Sequence, residues 1–428
     1  MRALCRGRLR HAVLVWTAAA CLVLALGSAG PAQAQRGASD EPVGLPEVHR
    51  QGGDLLAAGE RFRAWGFNYG LGRRYPILAY FDRPTERRLQ RVVADMREAR
   101  SLGANTLRVY LEIRAFMKGP HQPHRPALAA LAALLKKAEQ LHVYLDLTGN
   151  LVWRAPPAWY DALPEQARWA VQARFWRAVA RTAQGSTAVL VYELTSEPVI
   201  SDAEGWYCGA IDGYTFIQRI VRETSGRDEN RLARRWIRLL TRSIRRHDRR
   251  HLVGLGLLPF GGPFGAANIA DLLDVLLLHE YPQEGRESEA ISLVRQFAAH
   301  GKPVVLGETA PLLATRDTWR AFLSGSHRFL DGHLFFYDGR GPEEIGPTAA
   351  DAWYAAALDE FLELRGSLAA ESNDPRAAQN KRTGGALHDL RAAAGSRHGA
   401  HQARCYTSGF PNAAGCAPSR SASSVTRE

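Results

Sequence analysis

The sequence predicts an α/β fold, a (β/α)8 TIM barrel forming a single domain. Three observations predict it. Eight short apolar runs alternate with helical periodicities along the chain, as expected of parallel strands buried on both faces. Eight βα units in roughly 330 residues fit one large barrel. Polar residues gather at the carboxyl ends of the runs, and in a barrel those ends share one face.

In chain order, the strand runs are residues 63–68, 106–111, 142–148, 188–195, 252–257, 274–279, 303–308 and 333–337. Between the first two, residues 84–102 set Leu89, Val92, Val93, Met96, Ala99 and Leu102 on one helical face. Pro84 suits the first turn of that helix and Gly103 its end. Segment 230–247 stacks Leu232, Trp236, Leu239, Leu240 and Ser243 in the same way. Segments 127–141, 165–184, 287–300, 317–323 and 349–364 complete the helical set. A doubly wound open sheet would carry a Gly-rich phosphate loop after its first strand. Here that place holds Gly66-Phe67-Asn68-Tyr69-Gly70-Leu71-Gly72, with no lysine or helix start behind it. A nucleotide cofactor is therefore not expected.

The ends of the chain read differently. Residues 1–34 begin with Arg2, Arg6, Arg8 and Arg10, continue in an apolar run from 12 to 26, and end Ala32-Gln33-Ala34. That is the pattern of a cleavable secretory signal, and the run is short for a bilayer span. Secretion or a periplasmic location follows as an expectation, with no stable membrane insertion after cleavage. Residues 35–50 read as a linker, 51–366 as the barrel and 367–428 as a disordered basic tail rich in Ala, Ser, Gly and Arg.

The formal charge of +12 suggests a nucleic-acid or envelope-binding protein until it is located along the chain. Eight of those twelve charges lie before residue 35 or after 365, leaving +4 on the folded part. A nucleic-acid partner is not expected on that count, and a monomer is. The most basic stretch, residues 242–250, reads as a solvated face at a helix end. A nucleic-acid or envelope binder would instead show one continuous basic face. Of five cysteines, Cys5 and Cys21 leave with the signal, and Cys208, Cys405 and Cys416 form no zinc spacing. No metal is expected.

Two runs end in a glutamate. The fourth closes Thr195-Ser196-Glu197-Pro198 and the seventh Gly307-Glu308-Thr309. A carboxylate directly after buried residues is costly unless it has partners or a task. Two of them facing one cleft are what glycoside hydrolysis requires.

These motifs resemble glycoside hydrolase family 5, the cellulase-like family of retaining (β/α)8 glycosidases, over nearly all of residues 50–365. The resemblance rests on Tyr192-Glu193-Leu194-Thr195-Ser196-Glu197-Pro198, Val304-Val305-Leu306-Gly307-Glu308, His279-Glu280-Tyr281, Asn105-Thr106-Leu107-Arg108 and Gly66-Phe67-Asn68. It implies Glu197 as acid/base and Glu308 as nucleophile, with Arg108 and Tyr281 beside the nucleophile. His279, Ser196 and Asn68 would contact substrate. It implies a β-linked oligo- or polysaccharide substrate of glucan or mannan type, and carboxyl groups about 5–5.5 Å apart.

Three positions depart from the family pattern. Ser196 replaces the Asn before the acid/base. Asp338 stands where the eighth strand supplies a Trp. The third strand ends Asp146-Leu147-Thr148-Gly149-Asn150 instead of in a His. The first two motivate an alternative, a carbohydrate-binding barrel whose catalytic site has drifted.

Other residues carry weaker expectations. Residues 201–223 read as a long loop offering Trp206, Tyr207, Tyr214 and Phe216 to sugars, with Trp206 the first choice. Trp153 and Trp159 are similar candidates, and Trp169 and Trp176 fall at core spacing. Glu193 is expected to be a buried partner of a basic residue such as Arg108. Glu280 is expected to turn away from the mouth by strand alternation.

Overall fold

A computed structural model describes residues 44–70, 76–151, 154–211, 214–337 and 349–372. Eight parallel strands close into a barrel: Ala64–Tyr69 (β1), Thr106–Glu112 (β2), Tyr144–Leu151 (β3), Val189–Ser196 (β4), Leu252–Leu257 (β5), Val275–His279 (β6), Val304–Glu308 (β7) and Gly332–Tyr337 (β8). All eight expected runs are strands, displaced by at most three residues at either end. They were legible because strands covered on both faces are apolar throughout.

Among the helices packed around them are Glu86–Ser101 (α1), Arg125–Leu141 (α2), Glu165–Ala183 (α3), Glu229–Arg245 (α4), the single turn Ala266–Ile269 (α5), Glu287–Ala298 (α6), Arg316–Ser326 (α7) and Ala349–Ser372 (α8). The start of α1 differs from expectation. Thr85 is the N-cap, its side chain accepting from the Arg88 N–H at 3.3 Å, so Pro84 precedes the helix. The end agrees. Gly103 at φ +100° donates to the Arg100 carbonyl, and Ala104 donates to that of Ala99, closing the helix in a Schellman motif. Helix α8 runs six residues past the expected end of the barrel at 366. Phe361 of α8 lies 5.0 Å from the Trp65 ring and 4.3 Å from that of Phe67, both on β1.

Two expectations need correction. The linker does not reach residue 50. Leu45 and Val48 are buried, and Val48–Gln51 pairs with Asp54–Ala57 and then Glu60–Phe62 in an antiparallel meander. Phe62 packs edge-on against Tyr144 at the start of β3, which ties the meander to the amino-terminal end of the barrel. The segment after β4 is not an open loop. Pro198–Ile200, Tyr207–Ile211 and Tyr214–Val221 form a three-stranded sheet. Ile211 pairs with Tyr214 in the antiparallel register of the second and third of these strands. The expected signal at 1–34 and the tail beyond Ser372 lie outside the described residues, as do Trp153 and Asp338.

Strand register sets the barrel interior. Asn68 on β1 stands opposite Arg108 on β2, and Arg108 opposite Asp146 on β3. Thr148 stands opposite Glu193, and His279 opposite Glu308. Residues two apart on a strand share a face, so these polar side chains stack inward beneath the carboxyl-end mouth.

Candidate active site

Arg108 is the hub. It is fully buried, and a buried guanidinium needs acceptors around its whole edge. Nε and Nη2 donate to the two carboxylate oxygens of Glu193, each at 2.6 Å, as a bidentate pair. Nε also donates to the Thr148 hydroxyl at 2.9 Å, and that hydroxyl donates to Glu193 at 2.7 Å. Nη1 donates to Asn68 Oδ1 at 2.9 Å and to Glu308 Oε1. Burial would lower the affinity of Arg108 for its proton. Glu193, Tyr110 and Glu308 reverse this, and it stays a cation. Glu193 is thus the buried partner of Arg108 that the sequence suggested. The Thr148 hydroxyl ties the pair together.

Glu308 ends β7. The Tyr281 hydroxyl donates to its Oε2 at 2.8 Å, and Tyr281 stacks against Phe336 with centroids 6.5 Å apart. Burial alone would raise the Glu308 carboxyl. The neighbouring His279 and Arg108, with the Tyr281 bond, outweigh it and bring it below its ordinary value.

Glu197 follows β4 directly. Its φ is +48°, a left-handed conformation that costs a non-glycine residue energy unless neighbours hold it. Its N–H donates to the Gly256 carbonyl at 3.0 Å. The next residue, Pro198, pairs with Gln218 of the added sheet, whose side-chain amide donates to Thr195 Oγ1 at 3.1 Å. The Glu197 side chain accepts from His279 Nδ1 at 2.9 Å. Burial raises its carboxyl; His279 opposes this, and Glu308 adds to it. The net shift is upward.

His279 lies between the two carboxylates, with Nδ1 also 3.5 Å from Glu308 Oε2. Glycines make room for its ring. A methyl on Gly256 would sit 2.3 Å from Glu193 Oε1 and 3.1 Å from His279 Nε2; one on Gly307 would sit 3.3 Å from the ring's Cδ2. One oxygen each of Glu197 and Glu308 and a nitrogen of His279 lie within 4.8 Å of one another. Three such donors can also ligate a cation. These fit one poorly. Glu308 already serves Arg108 and Tyr281, and freeing Nδ1 would move the ring proton to Nε2, which is buried with no acceptor among the described residues.

Of the expected site residues, Glu197, Glu308, Arg108, His279 and Tyr281 meet here. Ser196 is buried at the last position of β4, opposite Gly256. Two others do not face the cleft. Asn68 is fully buried. Its amide donates to the carbonyls of Gly307, Leu334 and Phe335, and its oxygen accepts from Arg108 and Tyr110. It fastens β1 to β7 and β8 and holds Arg108, so it has no group left for substrate. Trp206 is also buried. The guanidinium groups of Arg168 and Arg222 lie 4.3 and 4.1 Å from its ring, which cements the added sheet and offers sugars no platform. Glu280 is buried, and burial pushes its carboxyl up to about 8.

Sequence reasoning missed Asp146 and the two glycines. Asp146 is buried on β3 beside the Glu193 carboxylate. Burial first and Glu193 second favour its protonated form. The available signal was an acid inside an otherwise apolar run. Gly256 and Gly307 each interrupt such a run, which marks a close approach by a neighbour.

No protein-family model matches the chain, and no curated protein sequence matches it. Solved structures do. The exo-β-1,4-mannosidase Op5Man5 from Opitutaceae bacterium strain TAV5 aligns at TM-score 0.52 and 18% identity, over 73% of this chain and 61% of that one. The chain thus spans about three fifths of that mannosidase. A variant of GH5_18 from Streptomyces cattleya in complex with Manβ1-4GlcNAc aligns at 0.51 and 17%, over 64% of this chain and 71% of that one. GH5_18 from Bifidobacterium longum subsp. longum aligns at 0.52 and 13%, over 72% and 79%. The chain shares the (β/α)8 barrel of these proteins; at such identities the likeness is one of fold.

Proposed function

We propose that this protein is a retaining glycoside hydrolase of the family 5 type, cleaving β-linked glycans by double displacement. The observation that carries the reading is the carboxylate pair: two glutamates from the ends of β4 and β7, within 4.8 Å, with proton affinities pushed apart. An oxygen of each lying this close favours the narrow carboxyl pair of a retaining enzyme over the wider pair of an inverting one.

Glu308 is the nucleophile. Arg108 and Tyr281 keep it ionised and aim it, and it attacks the anomeric carbon. Glu197 holds a proton because of burial and the nearby Glu308, and gives it to the leaving oxygen. Forming the glycosyl ester removes the negative charge on Glu308. Glu197, now ionised, then takes a proton from water, which attacks the same carbon and frees Glu308. His279 orients Glu197 through both half-reactions.

The substrate class is a β-glucoside or β-mannoside. β-Mannosides stand first because one similar barrel is an exo-β-1,4-mannosidase and another holds Manβ1-4GlcNAc. The test is a screen on aryl β-glycosides, β-mannans and β-glucans with Glu197→Gln and Glu308→Gln as controls. It is followed by trapping with a 2-deoxy-2-fluoro glycoside and mass spectrometry. Label on Glu308 is the expected result. Turnover that survives in both variants, or label elsewhere, overturns the reading.

A further inference from the structure

Helix α4 carries a feature that the carboxylate site does not use. Arg231, Arg235, Arg238, Arg242, Arg246 and Arg249 are all exposed, the last two just past the end of the helix. Spacing of three or four residues puts Arg231, Arg235, Arg238, Arg242 and Arg246 in one file along the helix, and Arg249 follows in the segment after it. From Arg231 to Arg246 the file is about 22 Å long. Residues 230–247 contain no acid. The other arginines of this stretch are engaged: Arg234 with Asp271, Arg245 with Asp274 and Arg250 with Glu47. Among the described residues, none of the six is within ion-pair distance of a carboxylate. Like charges at this spacing repel and destabilise a helix, so the file is a cost to the isolated fold. The residues expected to be merely solvated therefore belong to a continuous basic ridge.

We propose that this ridge binds an extended anionic glycan, a chain bearing carboxylate or sulfate groups, along the outside of the barrel. All six groups are guanidinium. Its planar fork grips a carboxylate or sulfate through two parallel hydrogen bonds, which an ammonium cannot do. A linear polyanion matches a single file of cations. A lipid surface matches it less well, because membrane-seated helices add apolar anchors beside the charge. Among the described residues, the exposed large apolar side chains are Leu312 and Leu362, neither of them on α4. The choice of a glycan over a nucleic acid rests on the function proposed above; the ridge itself does not. Because α4 begins after the sheet that follows Glu197, Arg231 is the end of the file nearest the barrel mouth. A bound chain would run from there down the outer wall.

The test uses the full chain and a variant carrying Arg235→Gln, Arg238→Gln and Arg242→Gln, with a thermal midpoint no lower than the parent's as the folding control. Binding of fluorescent polygalacturonate is measured against its methyl-esterified form, a duplex DNA and phosphatidylglycerol vesicles, each at low and moderate salt. The expected result is salt-sensitive binding of polygalacturonate and none of the neutral ester. The triple variant should bind about tenfold more weakly or worse, with a shallower salt dependence. Equal binding by the variant, equal binding of the ester, no binding at all, or tighter binding of DNA or vesicles each overturns the proposal. Hydrolysis is scored separately in the same samples. Ridge binding without turnover fails the hydrolase reading alone, and turnover without ridge binding fails this one alone.

Discussion

The barrel holds a histidine–carboxylate pair at each end, and the two pairs behave oppositely. At the amino end, His251 Nδ1 lies 2.5 Å from Asp248 Oδ2, with both residues buried. At the carboxyl end, His279 Nδ1 lies 2.9 Å from Glu197 Oε1, again with both buried. Asp248 has more donors. It also accepts from the Tyr192 hydroxyl at 2.7 Å and from the N–H groups of Arg250 and His251 at 3.0 and 3.1 Å. Burial would raise its carboxyl; His251, Tyr192 and the backbone bond bring it well below the usual range. Glu197 has the His279 bond alone among the described residues, and a second carboxylate faces it. The count of donors decides which carboxyl gives up its proton and which keeps one. The amino-end pair is a fastening. The carboxyl-end pair is left short of donors, which is the condition the proposed acid/base role requires.

Four substitutions break or sharpen this contrast. The largest effect falls on the carboxyl end. Glu308→Gln lowers kcat by on the order of 10⁵-fold, measured on an aryl β-glycoside, while the thermal midpoint stays within a few degrees of the parent. The amino end shows the reverse. Asp248→Ala lowers the unfolding free energy by about 3 kcal/mol in urea titration and leaves kcat per folded molecule unchanged. Because the Asp248 carboxyl is depressed on folding, its contribution is complete above the ordinary Asp value near 3.9. It is lost as pH falls below that value, so the parent's acid unfolding should flatten in the variant.

A smaller effect separates His279 from His251. His279 lowers the carboxyl values of both Glu197 and Glu308. In His279→Ala both limbs of the pH–rate profile therefore move to higher pH. A profile that only loses height would refute the assignment. The smallest effect is in stability. Folding raises the Glu197 carboxyl, so its ionised form opposes the folded state as pH rises. Glu197→Gln removes that charge, and its thermal midpoint near neutral pH should equal or exceed the parent's even as activity falls by about 10²–10⁴-fold. A clear drop in midpoint would show Glu197 to be a fastening like Asp248.

Much of the architecture could be read from local pattern. All eight barrel strands and most of the helices declared themselves by apolar runs and helical spacing. Both glutamates stood at the ends of such runs. The failures were long-range. Asn68 looked like a binding residue through the family resemblance, and Trp206 because aromatic rings suit sugars. Only folding brings three backbone carbonyls to the Asn68 amide and two guanidinium groups to the Trp206 ring. The sheet after β4 was taken for a loop because its strands mix polar and apolar residues. The file of arginines on α4 was seen in part, at residues 242–250. That its six exposed members lack ion-pair partners among the described residues is a fact of space.

By itself, the sequence determined the fold class and the placing of Glu197 and Glu308 at strand ends, because strand burial and helix amphipathicity are local patterns of period two and 3.6. What only the tertiary structure decided is which carboxylate keeps its proton. That depends on how many donors reach each group across the barrel, and the donors come from residues up to 200 positions away, as Arg108 does for Glu308.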